Sequence, residues 1–189
     1  IYGLLILGFL EEARAFMRWL EARCRELPES GALPPMFTIT GEQNLTEIPL
    51  DHLEGYRKSR PVRIGNGAST QHQLDVYGEL MDSIYLLDRY KDISYDLWSN
   101  LRRLLDWLST HWQNADEGIW EVRGERRHFV HSRLMSWVAF DRAVRIARHR
   151  GFPAPLNAWI QTSSQIFEEI MQKGWNEKVG SFVQCYGCE

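Results

Sequence analysis

The sequence predicts an all-α protein built as part of an α/α toroid. Three observations predict it. Apolar residues recur at three- and four-residue spacing in five segments of the 189 residues, the pattern of helices with one buried face. The connections between those segments alternate long, short, long, short. The second and fourth segments open on polar turns. In a stack of antiparallel helices, alternate connections lie at opposite ends, so all the long loops share one rim, where function is usually carried. No fixed-period repeat argues for a solenoid instead.

The first helix is expected from Tyr2 to Leu27, with Phe9, Ala13, Phe16 and Leu20 on its apolar face and Pro28 ending it. A long connection to about Ser69 follows, broken by prolines and glycines, with Met36–Ile39 as a short strand. A loop this long is uncommon without a function. The second helix is expected from Thr70 to Arg89, with Leu74, Tyr77, Met81, Ile84 and Leu87 facing the core. The third runs from Ser94 to Trp112 on a leucine stripe at 97, 101, 104, 105 and 108. The fourth spans His131 to Arg150, with Ser132 as N-cap, a face of Leu134, Trp137, Val138, Asp141 and Val144, and Gly151 at its C-terminal turn. The fifth spans Pro155 to Lys173, and the tail after Gly174 reads as a hairpin turning at Asn176–Gly180.

The length suits one domain, and residues 1–189 read as one. The chain begins in an apolar run without methionine and stops after an apolar stretch, so it reads as a piece of a longer protein. A net charge of −3 and a pI near 6.1 give no general attraction for nucleic acid or an anionic membrane. The apolar start, Ile1–Leu10, is too short for a membrane span. Three cysteines are too few for a disulfide scaffold. Cys185-x-x-Cys188 lacks a second pair and reads as incidental, so the thiols are expected reduced and the protein cytoplasmic. Nothing in the spacing of histidines, cysteines or glycines points to zinc or a nucleotide, and no cofactor or metal is expected.

The most informative stretch is the long loop between the third and fourth helices, with Asp116-Glu117-Gly118-Ile119-Trp120-Glu121-Val122-Arg123-Gly124. Trp120 offers a flat apolar face of the kind that stacks on a sugar ring. Glu121 lies between that indole and Val122, with Arg123 near, and a carboxyl so placed is a plausible general acid. A polar interhelical turn with one tryptophan plugging the core accounts for the same residues. Asn66, Gln73, Asp75, His131 and Arg133 are expected to join Glu121 and Arg123 at the rim.

Several blocks taken together resemble glycoside hydrolase family fifteen, the bacterial glucoamylase-type enzymes, which include some trehalases. They are Ser59-Arg60-Pro61-Val62-Arg63-Ile64-Gly65-Asn66-Gly67-Ala68, Gln73-Leu74-Asp75-Val76-Tyr77-Gly78-Glu79, Asp116–Gly124, the run His131–Ala143, and Gly180–Gly187. The resemblance covers nearly the whole chain in order. It implies an (α/α)₆ barrel, incomplete in these residues, and hydrolysis of α-glucosidic bonds with inversion. Glu121 would be the general acid. Trp120, Arg123, Asn66, Gln73, Asp75 and His131 would contact an α-glucoside, either a disaccharide or an oligosaccharide.

Two departures stand out: Arg133 occupies a position where lysine is common, and Cys188 one where a small polar residue is expected. The Trp-x-Arg-Asp block and the catalytic base of the family are expected beyond the two ends, so the 189 residues alone are expected to be inactive. Glu117 and Asp116 are too near Glu121 to serve as the base. The glucan-cleaving reading leads. A trehalase, or a non-catalytic carbohydrate-binding or regulatory protein, is the alternative. An open toroid exposes apolar faces, which favours a homo-oligomer.

Overall fold

The structure, a computed structural model, describes residues 1–27, 32–120 and 124–188. These fall into two compact units, Pro34–His72 and the remainder, Ile1–Leu33 with Gln73–Glu189.

The larger unit is helical. It contains α1 (Tyr2–Ile6), α2 (Leu10–Glu26), α3 (Asp75–Asp88), α4 (Tyr95–His111), α5 (Val130–Arg150) and α6 (Leu156–Glu169). A π turn, Ile170–Gly174, extends α6. The expected first helix is two, because Gly8 takes a φ of 82° and breaks it. The stripe that α2 buries is Ala13, Met17 and Cys24, while Phe9 and Phe16 are exposed. The expected faces of α3 and α4 are all buried, with Leu74, Leu101, Leu105 and Leu108 fully so. Ser94 caps α4 by accepting the Leu97 N–H at 3.1 Å.

α5 departs from the sequence reading. Leu134 is exposed, and the buried residues are Ser132, Arg133, Ser136, Ala139, Phe140, Ala143, Ile146 and Ala147. Hydrophobicity alone picked the wrong face, because the buried one mixes serines, alanines and an arginine with Phe140 and Ile146. α5 packs closely along α3, and Gly78 lets the backbones meet: a Cβ there would collide with the carbonyl of Met135, whose Cα would lie 2.8 Å away. Ser132 is not a cap. It lies in the first turn, and its carbonyl accepts the Ser136 hydroxyl at 2.8 Å.

The direction of packing follows from the side-chain pairs. Gly78 meets Met135, Asp82 accepts from Arg142 Nε at 2.6 Å, and Asp88 lies 3.5 Å from Arg150 Nε. α3 and α5 therefore run parallel. Trp98 at the start of α4 donates to Pro153 O beyond the end of α5 at 3.2 Å, and meets Trp159 of α6 edge-on at 5.9 Å. α4 and α6 therefore run opposite to α3 and α5. Parallel helices of one layer alternating with antiparallel partners of the other is the arrangement of an α/α toroid.

The tail hairpin forms as expected, with β3 (Trp175–Asn176) antiparallel to β4 (Ser181–Phe182) and Gly180 N–H donating to Asn176 O at 2.8 Å. In the smaller unit, β1 (Ile48–Pro49) pairs with β2 (Arg63–Ile64). Met36–Ile39 is not a strand. No helix among the described residues is long and apolar enough to cross a membrane.

Gly78→Ala is expected to destabilise the protein by about 1–3 kcal/mol through forced backbone separation. Gly3→Ala, with open space around it, is expected to hold or raise stability. Denaturant unfolding of both variants checks the contrast.

Candidate active site

The loop between α4 and α5 is held by its own stem. Asp116 and Arg127 exchange both backbone hydrogen bonds, at 3.0 and 2.9 Å. Phe129 forms a bridge with Cys185, Val130 N–H donates to Gln184 O at 3.1 Å, and Tyr186 N–H donates to His128 O at 2.9 Å. The tail is thus laid alongside the stem. Gly118 turns the chain with a φ of 69°, and a Cβ on it would lie 2.7 Å from the Phe129 ring. Both constraints require glycine there.

Above this stem lies a pocket of about 250 Å³ lined by Glu117, Ile119, Trp120, Phe129, Val130, His131, Leu134, Val183 and Gln184. Its walls are largely apolar, and three polar side chains interrupt them. Glu117 accepts from Arg126 Nε at 2.9 Å, which keeps a carboxylate at the edge of the pocket. Trp120 is 76% exposed, so its indole is a platform and not a core plug.

The structure brings Trp120 and His131 together in this pocket. Gln73 and Asp75 lie at the start of α3, buried and outside the lining. Asn66 belongs to the smaller unit, where its Oδ1 accepts the Ala68 N–H at 2.9 Å and caps the turn Gly67–Thr70. Glu121 and Arg123 lie outside the described residues. The sequence reading missed Val183, Gln184 and Leu134 as pocket residues. It read Leu134 as core because an apolar residue on a helix defaults to the buried face. It also left Asp116 without a role, although an acidic residue at the foot of a hairpin is a common turn partner.

Arg133 is not at the rim. It is fully buried, and its Nη2 donates to Gln113 O at 3.0 Å, Asn114 O at 3.1 Å and His128 Nδ1 at 2.7 Å. Its Nε lies 3.5 Å from Glu169 Oε1, and the guanidinium sits 5.8 Å from the Trp112 ring. One cation therefore ties the end of α4, the loop stem and α6 together. A planar, multi-donor guanidinium suits this better than an ammonium. Tyr186 beside it has its phenol pushed up to about 12, first by burial and then by the Glu169 carboxylate.

The cysteines also differ from expectation. Cys185 and Cys188 form a disulfide, their Cα atoms 5.3 Å apart across a tight turn, a separation that suits the bond. The reasoning from reduced thiols to a compartment loses its footing there. Arg127 Nη1 lies 3.8 Å from both sulfurs.

Asp75 and Asp116 are both nearly inaccessible, at 4% and 0% exposure. Asp116 Oδ2 accepts the Leu74 N–H at 3.0 Å. Burial raises the Asp75 carboxyl above its ordinary range. Its own backbone N–H and His131 oppose the rise, while Asp116 and Glu79 add to it. Among the described residues, no three His, Cys, Asp or Glu side chains gather as a metal-holding group.

Arg133→Met is expected to cost about 3 kcal/mol, because it strands buried acceptors and the Glu169 charge. Chemical denaturation measures it. The raised Asp75 carboxyl binds its proton more tightly folded than unfolded, so its contribution is full at low pH and is lost as pH rises from its unfolded value of 3.8 through the higher folded value. Asp75→Asn should therefore gain in melting temperature over wild type at pH 7 relative to pH 4. An equal difference at both values would contradict the shift.

Comparison with known proteins places the chain. The family model described as glycosyl hydrolases family 15 matches residues 1–189. The trehalase of Mycobacterium tuberculosis is 38% identical over all of this chain and 28% of its own length. That of Thermoplasma acidophilum is 35% identical over 99% of this chain and 32% of its own. The chain thus spans about a third or less of these relatives. A solved glycosidase variant in complex with glucose shares the fold, with a TM-score of 0.56 and 18% identity over 71% of this chain and 37% of that one. A match of one family along every residue, on helices arranged as that fold requires, means that the chain belongs to glycosyl hydrolases family 15.

Proposed function

We propose that the chain is part of an inverting glycoside hydrolase that cleaves trehalose. The observation that carries the reading is the similarity, along essentially the whole chain, to proteins described as trehalases. The motifs alone favoured a glucan-cleaving enzyme of the glucoamylase type, and these relatives turn the reading toward the disaccharide. A small apolar pocket under an exposed indole suits the face of one glucosyl ring.

In this reading, residues 1–189 belong to one catalytic domain. Trp120 is the stacking platform and Glu121 the general acid that gives its proton to the glycosidic oxygen as the bond breaks. His131, on the pocket wall, hydrogen-bonds a sugar hydroxyl. By the resemblance to the family, Gln73, Asp75, Arg123 and Asn66 are further sugar contacts. Inversion needs a second carboxylate about 6.5–9.5 Å from the first, to activate water on the opposite face of the ring. That base is supplied from outside these residues, so the 189-residue chain by itself should release no glucose.

In the complete enzyme, Glu121→Gln is expected to lower kcat on trehalose by about 10²–10⁴-fold, the usual contribution of a general acid. Glucose release from trehalose, maltose and soluble starch, followed for wild type and variant, tests both parts. Preference for maltose or starch would return the reading to a glucan hydrolase. Full activity of the variant would remove Glu121 from the mechanism. No hydrolysis of any of the three would favour a binding protein on the same scaffold.

A further inference from the structure

Asp116 is the most thoroughly buried carboxylate among the described residues outside the pocket lining. It does two jobs at once. Its backbone closes the stem of the loop by exchanging both hydrogen bonds with Arg127. Its side chain reaches across to α3, where Oδ2 accepts the Leu74 N–H at 3.0 Å. Leu74 immediately precedes Asp75, the first residue of α3. The other oxygen, Oδ1, is buried and has no hydrogen-bond partner, and neither does Asp75 Oδ1.

A carboxylate this buried is costly, and a loop that needed only tethering could be tethered by a neutral side chain. The charge fixes direction as well as distance. The peptide N–H at a helix start carries the positive end of the helix dipole, so it attracts the carboxylate along one line. The next residue of the stem, Glu117, is already in the pocket wall, and Trp120 is three further on. A shift at Asp116 therefore passes directly into the residues that meet the sugar.

We propose that Asp116 is a positioning residue for acid catalysis: it locks the stem of the Trp120–Glu121 loop to the N-terminus of α3 and so sets where the proton donor stands relative to the sugar bound on Trp120. This rests on the reading of Glu121 as general acid. A displacement of about 1 Å is enough to cost a hundredfold in such a step. The effect falls on proton delivery. Substrates whose leaving group needs no proton escape it.

The test compares two substrates in the complete enzyme. Trehalose loses a sugar alkoxide and needs the proton; α-glucosyl fluoride loses fluoride and needs it little. Asp116→Ala is expected to lose at least tenfold more kcat on trehalose than on the fluoride, with KM for trehalose changed less than threefold. Asp116→Asn keeps an acceptor for the Leu74 N–H but not the charge, and is expected to restore part of the trehalose activity that the alanine variant loses while staying below wild type. Asp116→Ser, whose shorter side chain does not reach that N–H, carries the test if the alanine variant fails to fold. Equal losses on both substrates would mark Asp116 as merely structural and overturn the proposal. Glu121→Gln is run alongside: if it fails to discriminate between the substrates, the general-acid reading itself falls and this proposal falls with it. If it discriminates and the Asp116 variants do not, only this proposal falls.

Discussion

The structure hangs on one buried cation. Arg133 enters the interior in the first turn of α5 and there satisfies two loop carbonyls, a histidine nitrogen and a glutamate from the far end of α6. A charge taken fully out of water depends on the partners it has, and here Nη2 makes all three hydrogen bonds while Nε and Nη1 make none among the described residues. The requirement runs in both directions. The end of α4 must stop where Gln113 and Asn114 can present their carbonyls, and α6 must run long enough for Glu169 to arrive. Lys173 then steadies that glutamate from the next turn at 3.2 Å. The loop that carries the candidate chemistry begins at the residues this guanidinium holds.

The second constraint is steric. α3 and α5 lie close because Gly78 faces the backbone of Met135. Farther along, the same interface changes to charge, with Asp82, Arg142, Asp141 and Arg145 linked in a chain and the Arg142 guanidinium 5.2 Å from the Tyr85 ring.

Much of this was legible in residues. The leucines of α4 and the apolar stripe of α3 announce their faces, because nothing competes with hydrophobicity there. The tail hairpin was legible for a similar reason: Gly180 supplies the turn and Trp175 packs edge-on against Phe182 at 5.3 Å. The face of α5 was hidden, since its serines, alanines and Arg133 give no continuous apolar stripe. Arg133 read as a rim residue because an arginine is usually at the surface. Only the three-dimensional meeting of α4, α5 and α6 gives it a place inside. Trp120 and His131 were legible as pocket residues from their loop positions. The contribution of Val183 and Gln184 was not, since it depends on the tail returning to a strand more than fifty residues earlier.

That return has a consequence for how the pocket comes into being. Its walls come from two neighbouring stretches, around residues 117–120 and 129–134, and from residues 183–184, about fifty residues later. During synthesis α3, α4 and α5 emerge before the tail that completes the pocket. The pocket cannot close until the tail has been made and laid beside the stem. Until then the apolar side of the loop stands open to water, and ligand binding can serve as a report that residues 183–184 have been laid in place.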